Sequence, residues 1–298
     1  MKAIRIHEYG GPDVLHYEDV PDPKPAEGEV RVRVHAAGVN PIDWKLRTGA
    51  MKKMVPVPLP WTPGVDFSGV TEDGREVFGK TDLPGQGSYA EYVTVKQSSI
   101  APKPETVDHV HAAAVPLAGL TAWQALFGNG SQPGLDLRAG QTLLILGAGG
   151  GVGGFAVQLA RWKGARVIGL VRPGQEAQVR ELGAEPITDL GAAETVDAVL
   201  DLLGGDVGAR AWPHVARGGS FASTVGAPSA EEAAARGVRT VAVLTKTNGE
   251  QLAEIGALLG AHRLRAEVSR TLPLASAREA QAMLESGGVT GKVVLEIR

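Results

Sequence analysis

The sequence predicts an α/β protein in which an irregular β domain is joined to a domain with a doubly wound parallel sheet. Three observations carry this prediction. Residues 1–117 contain short alternating strands, residues 118–265 alternate regularly between strands and helices, and a glycine-rich turn links one such strand to its helix. Near-continuous apolar strands joined by helices are typical of a parallel sheet that is covered on both faces.

The β domain is predicted from period-two alternation interrupted by proline. Glu29–Ala36 (EVRVRVHA) and Ala90–Val95 (AEYVTV) alternate between apolar and polar residues, as half-buried strands do. Pro21, Pro23 and Pro25 exclude a helix ahead of the first of these strands.

The second domain is predicted from apolar strands that alternate with helical stretches. Helices are expected at Val152–Lys163 and Glu176–Leu182, and each is followed by a glycine that can end it. The predicted strands are Thr142–Leu146, Arg166–Val171, Ala198–Leu202, Ser220–Thr224 and Val238–Leu244.

The C-terminal segment, residues 266–298, has a pattern of its own. A strand-like piece is followed by a helix around Leu274–Leu284 and a final strand at Lys292–Ile297. Composition does not decide whether this segment extends the parallel sheet or returns to the β domain.

Composition excludes several classes of function. The chain has no cysteine, which excludes disulfides, thiolate zinc sites, iron–sulfur clusters and cysteine nucleophiles. A net charge of −3 gives no electrostatic reason to expect nucleic acid or an anionic membrane as a partner. The N-terminus lacks an apolar signal-peptide core, and the uncharged stretch Ala139–Ala160 reads as a glycine-rich strand–turn–helix. We therefore expect a cytoplasmic protein without a membrane segment.

The strongest motif is the stretch LLILGAGGGVGG, residues 143–154, where an apolar strand runs into glycines that open an amphipathic helix. This context is the one that a Rossmann dinucleotide fingerprint requires, and it disfavours a plain glycine-rich turn. Without side chains, the backbone can approach a pyrophosphate at the helix N-terminus. Two registers fit, one on Gly149, Gly151 and Gly154 and the other on Ala148, Gly150 and Gly153.

The end of the second strand predicts NADPH as the cofactor. NAD enzymes place an acidic residue there, about 20 residues beyond the glycines, to bind the ribose 2′-hydroxyl. Here the strand ends in Leu170, Val171 and Arg172, with no acid before Glu176. Arg172 suits a 2′-phosphate, with Arg180 as a more distant helper.

Two further motif matches are attributed to coincidence. Gly74–Thr81 (GREVFGKT) satisfies the P-loop pattern, but its centre reads as a strand and no helix can follow through Pro84. Tyr92–Lys96 (YVTVK) satisfies YxxxK, but on a strand the two side chains would stand about 13 Å apart. The seven histidines form no HExxH motif, and His109 and His111 are predicted to lie on a solvated helix face. No metal site is expected.

The segment Asn40–Lys45 (NPIDWK) carries the remaining cluster of polar residues. Because a residue before proline avoids the helical region, Asn40 is expected at a strand end with its amide free to bond. Asp43 and Lys45 follow at once, and taken alone this segment reads as a polar turn.

Several blocks of the sequence, in the same order along the chain, resemble those of the zinc-independent medium-chain dehydrogenase/reductases. The resemblance is strongest to the zeta-crystallin-like quinone oxidoreductases and the enone and alkenal reductases. The resemblance covers nearly the whole chain. Its blocks are residues 29–45, 63–69 (PGVDFSG), 87–92 (GSYAEY), 116–123 (PLAGLTAW), the glycine loop and 291–295 (GKVVL).

The resemblance implies a GroES-like β domain, residues 1–117, joined by the C-terminal segment 266–298, and a Rossmann domain at residues 118–265. It favours the register on Ala148, Gly150 and Gly153. It also implies nicotinamide or ribose contacts from several residues outside the loop. With Arg172, the predicted cofactor site is Asn40, Thr121, Ala148, Gly150, Gly151, Val152, Gly153, Arg172, Leu203, Gly226 and Lys292.

The chain departs from the family pattern in ways that bear on function. Metal-dependent relatives carry Cys near Asn40 and His-Glu at Val65-Asp66, so these replacements remove the catalytic zinc. The segment after Gly69 is shortened, and Leu190 stands where many relatives hold the 2′-phosphate with Tyr or His. Met51 falls about where enoyl-thioester reductases place a proton-donating Tyr, which argues against a fatty-acyl substrate.

These observations predict an enzyme that transfers hydride from NADPH to a quinone or an α,β-unsaturated carbonyl. Lys45 is the candidate donor to the oxygen that becomes negative, Asn40 fixes the nicotinamide, and solvent supplies the proton. The segment Arg236–Thr247 holds the predicted last strand of the sheet, and its exposed edge predicts a homodimer. A zinc alcohol dehydrogenase is disfavoured by the absence of cysteine. The alternative from another class is a binding or structural protein with little turnover, since some relatives serve as lens crystallins and bind RNA.

Overall fold

The computed structural model describes every residue from Met1 to Arg298. The chain forms two compact units: residues 1–117 with residues 247–298, and residues 118–246. We name them the β unit and the nucleotide unit. The predicted class, a GroES-like β domain with a Rossmann-type parallel sheet, is confirmed.

Fifteen strands and nine α-helices make up the two units, with five short 3-10 turns between them. The strands are β1 (Lys2–Arg5), β2 (His16–Asp19), β3 (Glu29–Val39), β4 (Asp66–Thr71), β5 (Glu76–Lys80), β6 (Tyr92–Lys96), β7 (Ile100–Pro102), β8 (Thr142–Leu146), β9 (Arg166–Leu170), β10 (Glu185–Ile187), β11 (Val196–Asp201), β12 (Val215–Ser223), β13 (Arg239–Ala242), β14 (Val268–Pro273) and β15 (Lys292–Glu296). The helices are α1 (Pro41–Arg47), α2 (His109–Ala113), α3 (Pro116–Phe127), α4 (Gly151–Trp162), α5 (Glu176–Glu181), α6 (Gly205–Ala211), α7 (Ala230–Arg236), α8 (Gly249–Gly260) and α9 (Ala277–Glu285).

The β unit is organised around β3, the longest strand. Its main sheet has the order β14-β15-β3-β4-β5-β7, and β6 also pairs with β3. Because β15 pairs antiparallel with β3, with Val293 opposite Val39, the C-terminal segment returns to the β domain. The core of this unit is mainly aliphatic and includes three fully buried aromatic residues, Trp61, Phe67 and Tyr89.

The segment after Gly69, which the resemblance implies is shortened, forms a tight hairpin. The antiparallel strands β4 and β5 are joined by only four residues, Glu72–Arg75. Gly74 has a φ of +85°, a conformation that glycine adopts without strain. The Thr71 hydroxyl accepts the N–H of Arg75 at 3.1 Å and fixes the turn.

The nucleotide unit has six parallel strands in the order β10-β9-β8-β11-β12-β13. In chain order within the unit this is 3-2-1-4-5-6, the order of a doubly wound dinucleotide-binding sheet. The strand order reverses at β8, so the carboxyl end of β8 is the position where such sheets bind ligands. The predicted glycine-rich turn begins at that point, with β8 before it and α4 after it.

Three expectations differ from the structure. Residues 247–265, expected in the nucleotide domain, belong to the β unit, because α8 packs against β7 so closely that a Cβ on Gly249 would lie 2.6 Å from the Ile100 carbonyl. The segment after Asn40 is a helix rather than a turn, since Pro41 stands at its first position and the Asp43 carboxylate accepts the Asn40 N–H at the helix start. The last strand of the parallel sheet is also shorter than expected.

No helix combines the length and the apolar character needed to cross a bilayer. The uncharged stretch 139–160 contains β8 and most of α4, as the sequence predicts.

Candidate active site

The glycine loop of the nucleotide unit lies between β8 and α4. Gly150 is the N-cap of α4 and has no side chain that could cap the helix. The N–H groups of the first turn therefore remain available as hydrogen-bond donors to an anion. A Cβ on Gly150 would have only one neighbour, the Gly147 carbonyl oxygen at 3.5 Å. The backbone is therefore open to a pyrophosphate at this position.

Close packing distinguishes the two registers of the fingerprint. A Cβ on Gly153 would lie 2.3 Å from the Gly147 carbonyl oxygen and 2.7 Å from the Ala148 Cα. A Cβ on Gly154 would meet only Leu182, at an ordinary 3.5 Å. The third glycine of the fingerprint serves helix–strand packing. The geometry thus favours the register on Ala148, Gly150 and Gly153, with Gly151 and Val152 in the first turn of α4.

Arg172 lies two residues beyond β9 and is exposed. Its guanidinium forms no ion pair or hydrogen bond within the chain, while its backbone N–H is held by the Gln175 side chain at 3.2 Å. The same Gln175 side chain covers Gly149, because a Cβ on Gly149 would lie 2.6 Å from the amide carbon of Gln175. A free cation beside the glycine loop fits a 2′-phosphate. Leu190 is buried and offers no polar group to it.

Asp201 organises the loop after β11, a role that the sequence analysis did not assign. Its carboxylate accepts the N–H of Leu203 at 2.9 Å and of Gly204 at 2.8 Å. Leu203 is held in an exposed position next to Gly147. An acid at the end of an apolar strand, followed closely by two glycines, is the sequence signal that could have identified it.

The other two predicted contacts of this unit have different surroundings. Thr121 is buried on α3, and its hydroxyl lies 2.7 Å from the Thr245 hydroxyl. Gly226 follows β12 with a φ of +159°, and a Cβ there would meet nothing within 4 Å.

In the β unit, a buried polar cluster joins three strand ends. Asn40 follows β3, Asp66 begins β4 and Lys292 begins β15. The Asn40 amide donates through Nδ2 to Asp66 Oδ2 at 2.9 Å, and the Lys292 ammonium donates to Asn40 Oδ1 and lies 3.5 Å from Asp66 Oδ2. The second carboxylate oxygen of Asp66 accepts the N–H of Leu117 at 2.7 Å. Asn40 is therefore fixed from both sides rather than free.

Asp43 and Tyr89 form the second layer of the cluster. Asp43 Oδ2 accepts the Asn40 N–H and the Tyr89 hydroxyl, both at 2.8 Å, and Oδ1 has no partner. Burial raises the pKa of Asp43 to about 7, and the nearby charge of Asp66 adds to this effect. Burial also raises the pKa of Asp66, which Lys292 opposes. Desolvation and Asp43 hold the pKa of Tyr89 well above its usual range.

Lys45 is not part of this cluster. Its Nζ lies 5.8 Å from the centroid of the Trp44 ring and makes no hydrogen bond or ion pair. The structure thus brings Asn40 and Lys292 together and leaves Lys45 as an uncommitted ammonium on α1.

The prediction that His109 lies on a solvated face is wrong. Its ring stacks on His35 with centroids 4.5 Å apart, and Nδ1 lies 2.8 Å from Ser68 Oγ, because α2 packs against β3 and β4. His111 is exposed and paired with Asp108. The structure contains no group of three His, Asp or Glu side chains arranged to hold a metal.

Known proteins match both units. A family model described as an alcohol dehydrogenase GroES-like domain matches residues 26–105, and one described as a zinc-binding dehydrogenase matches residues 177–295. The 2-methylene-furan-3-one reductase of Solanum lycopersicum is 32% identical over 324 residues, covering 99% of this chain and 79% of the relative.

Two solved structures are similar over their whole length. The quinone oxidoreductase of Coxiella burnetii has a TM-score of 0.89 and 35% identity, covering 100% of this chain and 99% of its own. A structure titled as an NAD-dependent alcohol dehydrogenase has a TM-score of 0.90 and 29% identity, with both chains covered completely. The fold and the glycine loop define an oxidoreductase of the nicotinamide-dependent class. The chain belongs to the medium-chain dehydrogenase/reductase family, and its relatives include proteins named quinone oxidoreductase and 2-methylene-furan-3-one reductase.

Proposed function

We propose that the protein reduces quinones or α,β-unsaturated carbonyls with hydride from NADPH and without a metal. One observation carries this proposal: the Lys292 ammonium bridges Asn40 and Asp66. The resemblance places zinc ligands of metal-dependent relatives near Asn40 and at Val65-Asp66. The Lys292 ammonium thus lies at the polar centre of the β unit, and the Asn40 amide and the Asp66 carboxylate are hydrogen-bonded to each other.

The cofactor half of the proposal is supported by the nucleotide unit. Gly150 leaves room for a pyrophosphate, and Arg172 offers an unpaired guanidinium after a strand that ends without an acid. A carboxylate at this position would favour the ribose 2′-hydroxyl of NAD, whereas a guanidinium favours the 2′-phosphate of NADP. Thr121, Leu203 and Gly226 are proposed to complete the contacts.

In the proposed reaction the protein orients the nicotinamide and stabilises the negative charge on the acceptor. When bound, NADPH supplies the hydride that adds to the electron-poor carbon of the acceptor. Negative charge then develops on the acceptor oxygen, and an oriented cation or hydrogen-bond donor stabilises it. We assign this role to Lys45, whose ammonium has no other partner, and we assign orientation of the nicotinamide to Asn40 with Lys292. Solvent supplies the proton that completes the reduction.

A panel of acceptors tests the reaction class. Oxidation of NADPH is followed with quinones, enones and enals, and reduction of NADP⁺ is followed with simple alcohols. We expect fast turnover of the conjugated acceptors and little oxidation of alcohols, because losing an alcohol proton requires the acidifying effect that a zinc ion provides. Alcohol oxidation without turnover of any conjugated acceptor would contradict the proposal. NADPH binding without turnover would favour the binding or structural alternative.

A variant tests the role of Lys45. Lys45→Ala is expected to lower kcat by roughly tenfold or more with a smaller change in KM, as loss of a transition-state contact does. Lys52→Ala, which removes an exposed ammonium nearby, is the control and should behave like the wild type. Unchanged kinetics in Lys45→Ala would remove this residue from the mechanism and leave the reaction class intact.

A further inference from the structure

A second buried lysine lies next to the polar cluster and has no role in the function proposed above. Lys80 ends β5, where it pairs in register with Asp66 on β4, and it is only 6% exposed. Its Nζ donates to the Thr81 carbonyl oxygen at 3.1 Å and to the Thr247 hydroxyl at 3.5 Å. Both partners are neutral. A buried ammonium with only neutral partners is unfavourable unless opposite charges lie nearby.

The charges that compensate Lys80 are the aspartates around it. Burial lowers the pKa of Lys80, and Asp66, Asp82 and Asp43 oppose this effect, with Asp66 the strongest of them. In return, burial raises the pKa of Asp66, and this effect is opposed by Lys292, by the hydrogen bonds from Asn40 and Leu117, and by Lys80. The β unit thus holds two buried carboxylates, Asp43 and Asp66, and two buried ammonium groups, Lys80 and Lys292.

The two lysines act on Asp66 in different ways. Lys292 contacts Asn40 directly and lies 3.5 Å from the Asp66 carboxylate, whereas Lys80 has no bond to either residue. Removing Lys292 would therefore change the contacts of the site. Removing Lys80 would leave the bonds among Asn40, Asp66 and Lys292 in place and would take away a positive charge near them.

A chain of hydrogen bonds holds Lys80 in place from the surface side. The Thr247 hydroxyl accepts a hydrogen bond from Lys80 and donates its single proton to Asp82 at 2.6 Å. Asp82 in turn pairs with the exposed Lys96 at 3.2 Å. The ammonium of Lys80 is thus linked through the Thr247 hydroxyl to this surface pair.

We propose that Lys80 is a positioning residue that keeps the Asp66 carboxylate ionised at neutral pH, so that Asp66 continues to hold the Asn40 amide and the Lys292 ammonium. If Asp66 became neutral, Lys292 would lose its nearest negative charge and Asn40 would lose a charged acceptor. Tyr89 and Asp43 face the same cluster, but neither supplies a positive charge. The proposal rests on the proposed function insofar as it concerns turnover.

The first test compares Lys80→Met with a matched control. Lys103→Met removes another lysine of the β unit, whose side chain is 5% exposed and whose ammonium binds Glu76 at 3.0 Å and the Val107 carbonyl oxygen at 2.6 Å. The pH dependence of kcat/KM is measured from pH 5 to 9 with the best acceptor. Loss of a positive charge raises the pKa of Asp66, so the acidic limb of Lys80→Met should move to higher pH, by about one pH unit. Lys80→Arg should return the acidic limb to its wild-type pH, and Lys103→Met should leave the acidic limb unchanged.

The second test measures the carboxyl group directly and does not depend on turnover. The protein is labelled with ¹³C-aspartate, the Asp66 side-chain signal is assigned with Asp66→Asn, and its titration is compared in the wild type and Lys80→Met. Where Lys80→Met does not fold, Lys80→Gln is used. A midpoint that moves to higher pH supports the proposal. An unchanged midpoint, or an equal change in Lys103→Met, overturns it. A wild type that reduces no acceptor would refute the proposed function, while the titration would still decide the role of Lys80.

Discussion

Asn40 Nδ2 donates to Asp66 Oδ2 at 2.9 Å, which links the end of β3 to the start of β4. The amide orientation follows from charge, because its nitrogen faces a carboxylate and its oxygen faces the Lys292 ammonium. A reversed amide would place each polar atom against a group that it cannot bond. The position and the orientation of Asn40 are therefore set before any ligand arrives, which is the pre-organisation that a binding contact requires.

Adjacent glycines of the fingerprint should respond oppositely to the same substitution. Gly153→Ala places a methyl group 2.3 Å from the Gly147 carbonyl oxygen, so we expect a loss of about 1–3 kcal/mol in the free energy of unfolding and weaker NADPH binding. Gly154→Ala meets only a Leu182 methyl group at 3.5 Å and should stabilise α4 by up to about 1 kcal/mol. Urea unfolding and NADPH titration check both. Equal effects would mean that the register is wrong.

Arg172→Ala should weaken NADPH selectively. The variant removes the free guanidinium after β9, so the dissociation constant for NADPH should rise roughly tenfold while that for NADH stays nearly constant. Arg138→Ala, which removes an exposed arginine paired with Asp136, is the control. Fluorescence titration with both nucleotides measures the effect. A wild type that prefers NADH would contradict the assignment of NADPH.

The pH dependence of stability should report Asp43. Its pKa is about 7 in the folded protein, above the usual 3.8, so folding takes up a proton between these values. The stability that this proton contributes is complete below about pH 4 and is lost as the pH rises through 7. The free energy of unfolding of the wild type should therefore fall relative to that of Asp43→Asn between pH 5 and 8.

Urea unfolding at several pH values measures this difference. Asp206→Asn, at an exposed position on α6, is the control and should show a constant difference from the wild type. If the free energy of unfolding of the wild type, relative to that of Asp43→Asn, stays constant or rises with pH, Asp43 is ionised throughout the range.

Turnover should survive chelation. The chain has no cysteine, and Asn40 and Asp66, near which the resemblance places the zinc ligands of metal-dependent relatives, bind each other and Lys292. Prolonged treatment with EDTA should leave the rate of NADPH oxidation unchanged. A loss of activity that zinc restores would refute a metal-free mechanism.

We expect a homodimer that pairs through β13. This strand is the last of the parallel sheet, one of its edges is unpaired, and Leu244 beyond it is 69% exposed. Exposed edges of this kind are usually covered. Light scattering at micromolar concentration should give twice the monomer mass, and Thr240→Lys on β13 should reduce it to the monomer mass. A monomeric wild type would exclude the dimer.

Local pattern was enough to predict most of the nucleotide unit. The strand at Thr142–Leu146 has the predicted bounds, and β9 ends one residue earlier than expected. Apolar runs, glycine stops and the glycine loop are local signals, because a strand–turn–helix is specified by residues that are neighbours in the chain. The helix at Pro41–Arg47 was not predicted, because the Asp43 side chain that accepts the Asn40 N–H at its start is equally typical of a turn.

Composition and local pattern by themselves determined the fold class, the position of the glycine loop and the absence of cysteine chemistry. Only the tertiary structure decided that the charges of Asp66, Lys80 and Lys292 form one buried cluster with Asn40 and that Lys45 stands apart from it. Lys292 and Asn40 are separated by 252 positions and meet because β15 pairs with β3. Strand pairing across such a distance depends on the packing of the whole sheet, and no pattern of neighbouring residues encodes it.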